Sequence, residues 1–172
     1  FMGNIWGDNG LGYIMEPEWV NMIQRTQTGS LPDPVDPAPV ERGIEVYFTD
    51  IDYAGLSFAV VEDRKFKTDP ARLELNKKNI EEPEEADLPG LVLLGERQHQ
   101  FLEDWSERTK DFPVRFFLSQ TMFAKANTHV GGQLRRETID FDNNGWPQTA
   151  RNEALRILPR DVVMVHGDQH VG

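Results

Sequence analysis

The stretch Val162-Val163-Met164-Val165-His166-Gly167-Asp168-Gln169-His170 constrains this chain more than any other. Its apolar, β-branched run predicts a buried strand, and the run stops abruptly at a glycine followed by Asp-x-His. In layered α/β folds, ligands gather at the loops that follow the carboxyl ends of strands. Such a loop here holds a carboxylate and an imidazole two residues apart, and Gly167 lets the backbone approach closely. Asp168 and His170 are both ligand types for a hard or borderline metal ion. Asp-x-His is also a common pairing. A solvated loop carrying both residues by chance accounts for it equally well in isolation.

With 172 residues the chain has room for one domain with a sizeable core. Hydrophobic residues make up 38% and charged residues 27%, an ordinary balance for a globular protein. No apolar run approaches the roughly 20 residues that span a bilayer. The start lacks the basic-then-apolar pattern of a signal peptide. The formal net charge of −11 repels polyphosphate backbones and anionic lipid, so neither nucleic acid nor a membrane surface is an expected partner. Part of that charge is local: Glu81-Glu82-Pro83-Glu84-Glu85-Ala86-Asp87 is an acidic block, most simply a solvated loop. The absence of cysteine excludes disulfides and thiolate sites, which leaves Asp, His, Asn, Tyr or Glu to hold any metal. The chain opens at Phe1-Met2-Gly3 and closes at Val171-Gly172, directly after the candidate ligand loop, and is expected to be a piece of a longer protein.

Residues 1–15 have a loop-like composition rich in Gly and Asn. Glu16 to Gln27 predicts a helix, with Pro17 in its first turn, an apolar stripe of Trp19, Val20 and Ile23, and a stop at Thr28-Gly29. The proline-rich stretch Leu31 to Pro39 predicts an extended connector. Ile44 to Phe48 alternates as a strand, and Tyr53-Ala54-Gly55 turns into a second strand from Leu56 to Val61, a predicted antiparallel hairpin. Lys67 to Gly90 is polar and is expected to be an irregular insertion. Glu96 to Thr109 predicts a helix with Phe101, Leu102 and Trp105 on one face and Glu103, Asp104 and Glu107 on the other. A buried strand, Val114 to Leu118, runs into Ser119-Gln120. Residues 124–146 are loop-rich, Pro147 opens a short helix through Leu158, and the final strand follows. The whole describes a mixed α/β domain in which two strands end in polar loops that could meet.

Three polar clusters follow predicted strands: Glu62-Asp63-Arg64, Ser119-Gln120-Thr121 and His166 to His170. Arg64 could grip a phosphate oxygen in bidentate fashion. On composition alone a surface ion pair is the favoured expectation. Gln120 could ligate a metal, hydrogen-bond a ligand or cap the following turn. His129, near Gly131-Gly132, could be a general acid or substrate donor, though a loop histidine without a role is the simpler reading. His99 is expected on the surface of its helix. Asp140 to Pro147 has the Asp and Asn density of a calcium loop but lacks its spacing and terminal Glu, so a turn with helix capping is expected instead. Gly10 and Gly12 build no phosphate cradle, because no Gly-Lys-Ser/Thr follows.

Taken in order, several segments resemble the alkaline phosphatase D (PhoD-like) branch of the metallophosphoesterases. They are Gly3-Asn4-Ile5-Trp6-Gly7, Tyr53 through Lys67, Ser119-Gln120-Thr121-Met122-Phe123-Ala124, Asp142-Asn143-Asn144-Gly145-Trp146-Pro147-Gln148 and Gly167-Asp168-Gln169-His170. The resemblance implies a four-layer αββα sandwich with two mixed sheets face to face and a metal centre at the strand ends. It also implies hydrolysis of phosphate esters, often diesters, a small phosphorylated substrate, iron with calcium as the metal set, and export of the parent protein. Carried over by residue, it makes Asp168 and His170 metal ligands and places Asn4 where a metal or phosphate contact is expected. Arg64 falls in an Asp-x-Arg-like stretch that could hold substrate. Gln120 occupies a strand-end position where related enzymes carry a ligand histidine. The family's early ligands, an Asp and a Gly-Asp-x-x-Tyr-type element with an Asp-Asp-His element, are not in this sequence. The chain therefore resembles the C-terminal portion of the catalytic domain, a single partial domain over 1–172.

Two functions follow from this reading. One is a metal-dependent phosphoesterase to which this chain contributes one side of a dinuclear site. The other is a binding domain that keeps the fold without the chemistry, for which the Gln120 departure is the relevant feature.

Overall fold

The computed structural model describes residues 14–69, 83–124, 128–130, 132–135, 141 and 143–167. Helix α1 spans Pro17–Thr28, with Pro17 in the first turn, where a missing N–H costs nothing. Strands β1 (Thr49–Tyr53) and β2 (Leu56–Val60) form an antiparallel hairpin about the Ala54-Gly55 turn, where both residues take positive φ. Helix α2 (Glu96–Arg108), strand β3 (Val114–Thr121), helix α3 (Gln148–Ile157) and strand β6 (Val163–Gly167) complete the main layers. Two short strands, β4 (Thr128–Val130) and β5 (Gln133–Arg135), pair with each other in a two-stranded sheet. The main sheet has the order β1-β2-β3-β6, with β2, β3 and β6 parallel. It is a mixed α/β unit: among the described residues there is one four-stranded mixed sheet with its helices, and the second main sheet of a four-layer sandwich is not among them.

Pairing register divides the side chains between two faces of the sheet. Ala59 and Phe117 point to one face and join Val61, Phe101, Leu102, Trp105, Ala150 and Ala154 in the principal core, with Met164 packed against it. The α2 stripe predicted from sequence supplies its centre, and Trp105 donates its indole N–H to Ser57 Oγ at 2.9 Å. On the opposite face, Phe58 stacks on Phe116 with ring centroids 4.8 Å apart, and Val163 continues that row. Val60, Leu118 and Val165 form the next row. This second face is open at its β6 edge, where Val163 is 43% and Val165 48% exposed, and half-buried along β2 and β3. No helix among the described residues is long and apolar enough to cross a membrane.

Two expectations change. Ile44 to Phe48 is not a strand; it is an irregular, buried segment, and the strand begins at Thr49. Asn21 of α1 holds it, donating to Gly43 O at 3.0 Å and accepting from Glu45 N at 2.8 Å, while Phe48 O accepts from Val35 N at 2.9 Å. Those partners satisfy backbone groups that a ladder would otherwise use. The final strand is present but is not buried, because it lies at the sheet edge with its second face uncovered.

Candidate functional site

Because β2, β3 and β6 run parallel, their carboxyl ends share one edge of the sheet. The chain leaving β2 does not turn out to solvent. Glu62, Asp63, Arg64, Lys65, Lys67 and Asp69 are all buried. Gln98 of α2, itself fully enclosed, grips Glu62 through both main-chain groups: its Oε1 accepts from Glu62 N and its Nε2 donates to Glu62 O, each at 2.8 Å. Glu62 Oε1 accepts from the amides of Arg64 and Lys65 at 3.2 and 3.3 Å and from Gln120 Nε2 at 3.2 Å. Burial pushes the Glu62 carboxyl above its ordinary range, and the neighbouring Lys65 ammonium opposes that rise.

Asp63 turns the other way and reaches β3. Its Oδ2 accepts from Thr121 N at 3.0 Å and from Asn144 Nδ2, and its Oδ1 accepts from Gln120 N at 3.3 Å. Burial raises this carboxyl too, against the hydrogen bonds from Thr121 and Asn144 and the charge of Arg64. Asn144 Nδ2 also donates to Thr121 O at 3.2 Å, and Asn144 N to Met122 O at 2.9 Å. Lys67 anchors the same region, donating to Phe141 O at 2.8 Å and Asn143 O at 2.6 Å. Gly145 sits so tightly here that a Cβ would stand 2.5 Å from Ala124 O.

The sequence-predicted residues fall unevenly on this frame. Arg64 is 5% exposed, so the surface ion pair expected from composition does not hold. Gln98 and Lys67 tie the segment carrying it into the interior. Gln120 is exposed at the end of β3, with its amide oriented by Glu62. His129 lies in β4, opposite Leu134 of β5. His99 is half-buried rather than at the surface. Asn143 Oδ1 caps Gly145 N at 2.8 Å in a turn, as expected, but the α3 amino end is capped from elsewhere: Asp87 accepts from Thr149 N and Oγ1. Asn4, Asp168 and His170 lie outside the described residues.

Sequence reasoning did not single out Asp63, Asn144, Lys67 or Gln98 as individual site residues. Asp63 and Asn144 lie within segments that carry the family resemblance, whereas a buried Gln98 on a polar stretch of helix carries no local signal. Among the described residues no group of three or more His, Asp or Glu side chains could hold a metal ion. The strand-end carboxylates Glu62 and Asp63 already serve amide donors. The described donors by themselves do not fit iron or calcium.

Beside this edge, an open cleft of about 600 Å³ separates α1 from the sheet; Trp19, Ile23, Val60 and Leu118 line it, with Glu62 and Gln120 at one end. No protein-family model matches the sequence, and no curated protein matches it. A solved structure described as "Structure of PhoD" is similar to it in fold, with a TM-score of 0.54 and 20% sequence identity over 85% of this chain. The chain spans 27% of that protein's length, so the likeness is one of fold over a part.

Proposed function

We propose that the protein containing this chain is a metal-dependent phosphoesterase, and that this chain supplies the β2, β3 and β6 ends of its site. The observation that carries this reading is the fold shared with the PhoD structure. The convergence of three parallel strand ends on one polar edge supports it, since that edge is where such folds bind ligands. Arg64 and Gln120 are the candidates to hold phosphate oxygens. Asp168 and His170, two residues apart after β6, are the candidates for metal ligands. A bound cation would supply charge neutralisation for the phosphoryl group and a water of lowered pKa.

The test uses the full-length protein and bis(p-nitrophenyl) phosphate, with and without chelator. Turnover abolished by chelator and restored by metal is the expected result. Asp168→Asn, which keeps shape and removes a charge, should lower kcat by orders of magnitude while the fold survives. Chelator-insensitive turnover overturns the metal-dependent reading, and no turnover with any metal overturns it in favour of the binding domain.

A further inference from the structure

The β3–β6 ladder changes register at one place. Ser119 pairs with His166, yet Gly167, the next residue of β6, pairs with Thr121 rather than Gln120. Gln120 is the extra residue of a bulge, and a bulge leaves a main-chain N–H without its ladder partner. That N–H is donated to Asp63 Oδ1, and the next, Thr121 N, to Asp63 Oδ2. One buried carboxylate thus takes both amides of the bulge. Asn144 Nδ2 closes the arrangement by donating to Asp63 Oδ2 and Thr121 O.

We propose that Asp63 is a positioning residue: by accepting both amide hydrogen bonds it fixes the bulge that aims Gln120 outward and sets where Gly167, at the end of β6, meets β3. This rests on the phosphoesterase reading for its consequence in turnover, though not for the bulge itself. Without the bulge, Gln120 rather than Thr121 would pair with Gly167. Strand β6 would then end one position earlier against β3.

The test is Asp63→Asn in the full-length protein, read by amide hydrogen exchange and steady-state kinetics. An asparagine whose oxygen stays on the Thr121 and Asn144 side presents an NH2 group to Gln120 N–H. Exchange at Gln120 should quicken at least about tenfold while Thr121 stays protected. The kcat for bis(p-nitrophenyl) phosphate should fall about tenfold or more with KM within about twofold, the signature of lost transition-state alignment. Ser57→Ala serves as the comparison, since it removes the acceptor of the Trp105 indole at the opposite end of β2. It should destabilise the fold without altering Gln120 exchange or kcat. Asp63→Glu, which keeps two acceptor oxygens on a longer arm, should recover part of the protection. Unchanged exchange at Gln120 overturns the proposal, and so does quickened exchange with an unaltered kcat. If the unsubstituted protein hydrolyses no phosphoester with any metal, the phosphoesterase reading fails, and its consequence in turnover with it; the exchange data then still decide whether Asp63 holds the bulge.

Discussion

Glu62 is buried, and three donors converge on one of its oxygens while Lys65 Nζ lies 3.5 Å from the other. Burial raises its pKa in the folded state above the ordinary 4.5, so the folded protein holds that proton more firmly than the unfolded chain does. The sign follows from linkage. The stabilising contribution is complete below the ordinary glutamate range and is lost as pH rises through the folded value. Glu62→Gln keeps an acceptor for the two amides and cannot ionise. The stability of wild type relative to this variant should therefore decline between mildly acidic and neutral pH, as measured by urea midpoints across that range. A difference independent of pH, or one that grows with pH, would contradict a raised pKa. Charged triplets such as Glu62-Asp63-Arg64 look solvated in a sequence because nothing local announces Gln98 or Asn144, which lie 36 and 81 residues from their partners.

Among the elements, helix α3 shows how a distant segment completes a local structure. Its N-cap position is Pro147, which has no side-chain oxygen to offer, and Asp87 supplies the missing acceptor to Thr149 N at 3.0 Å and Thr149 Oγ1 at 2.7 Å. Asp87→Ala should cost about 1 kcal/mol of stability, the ordinary worth of a helix cap. Chemical denaturation checks this, and a loss indistinguishable from zero would mean that solvent serves those donors as well. The three helices and the hairpin turn were legible because proline, amphipathic spacing and Ala-Gly are local signals. Strand β1 was not. Asp50 and Asp52 disfavour a strand on propensity, and Arg108 of α2, paired with both, offsets that preference from 58 and 56 residues away. The apolar run Ile44 to Phe48 was legible as interior but not as irregular, since burial alone does not specify a ladder. At the site, the meeting of the β3 and β6 ends was foreseen, whereas the bulge between them depends on Asp63 and leaves no local trace.

For the molecule as a whole, the sheet has one face packed on α2 and α3, while on the other α1 stands across a cleft from Val60 and Leu118 and leaves Val163 and Val165 exposed at the β6 edge. An open apolar face beside an edge strand promotes association. A sample of residues 1–172 alone should show concentration-dependent mass in light scattering, and the paired change Val163→Thr with Val165→Thr should reduce it. Both valines are more than a third exposed, so the exchange should cost the fold little. A strictly monomeric sample at all concentrations would show that the face is adequately solvated as it stands. The network around Asp63 has a different consequence, one of timing. Its bonds join segments 57, 58 and 81 residues apart, and each needs a long loop closed before it returns any energy. The hairpin and helices can form from near neighbours, but the strand-end edge must wait for Asn144 to reach Asp63. Asn144→Ala should therefore speed unfolding and leave the refolding rate nearly untouched, with a φ-value near zero in stopped-flow chevrons. A φ-value near one would instead make this edge part of the folding nucleus, assembled before the sheet that carries it.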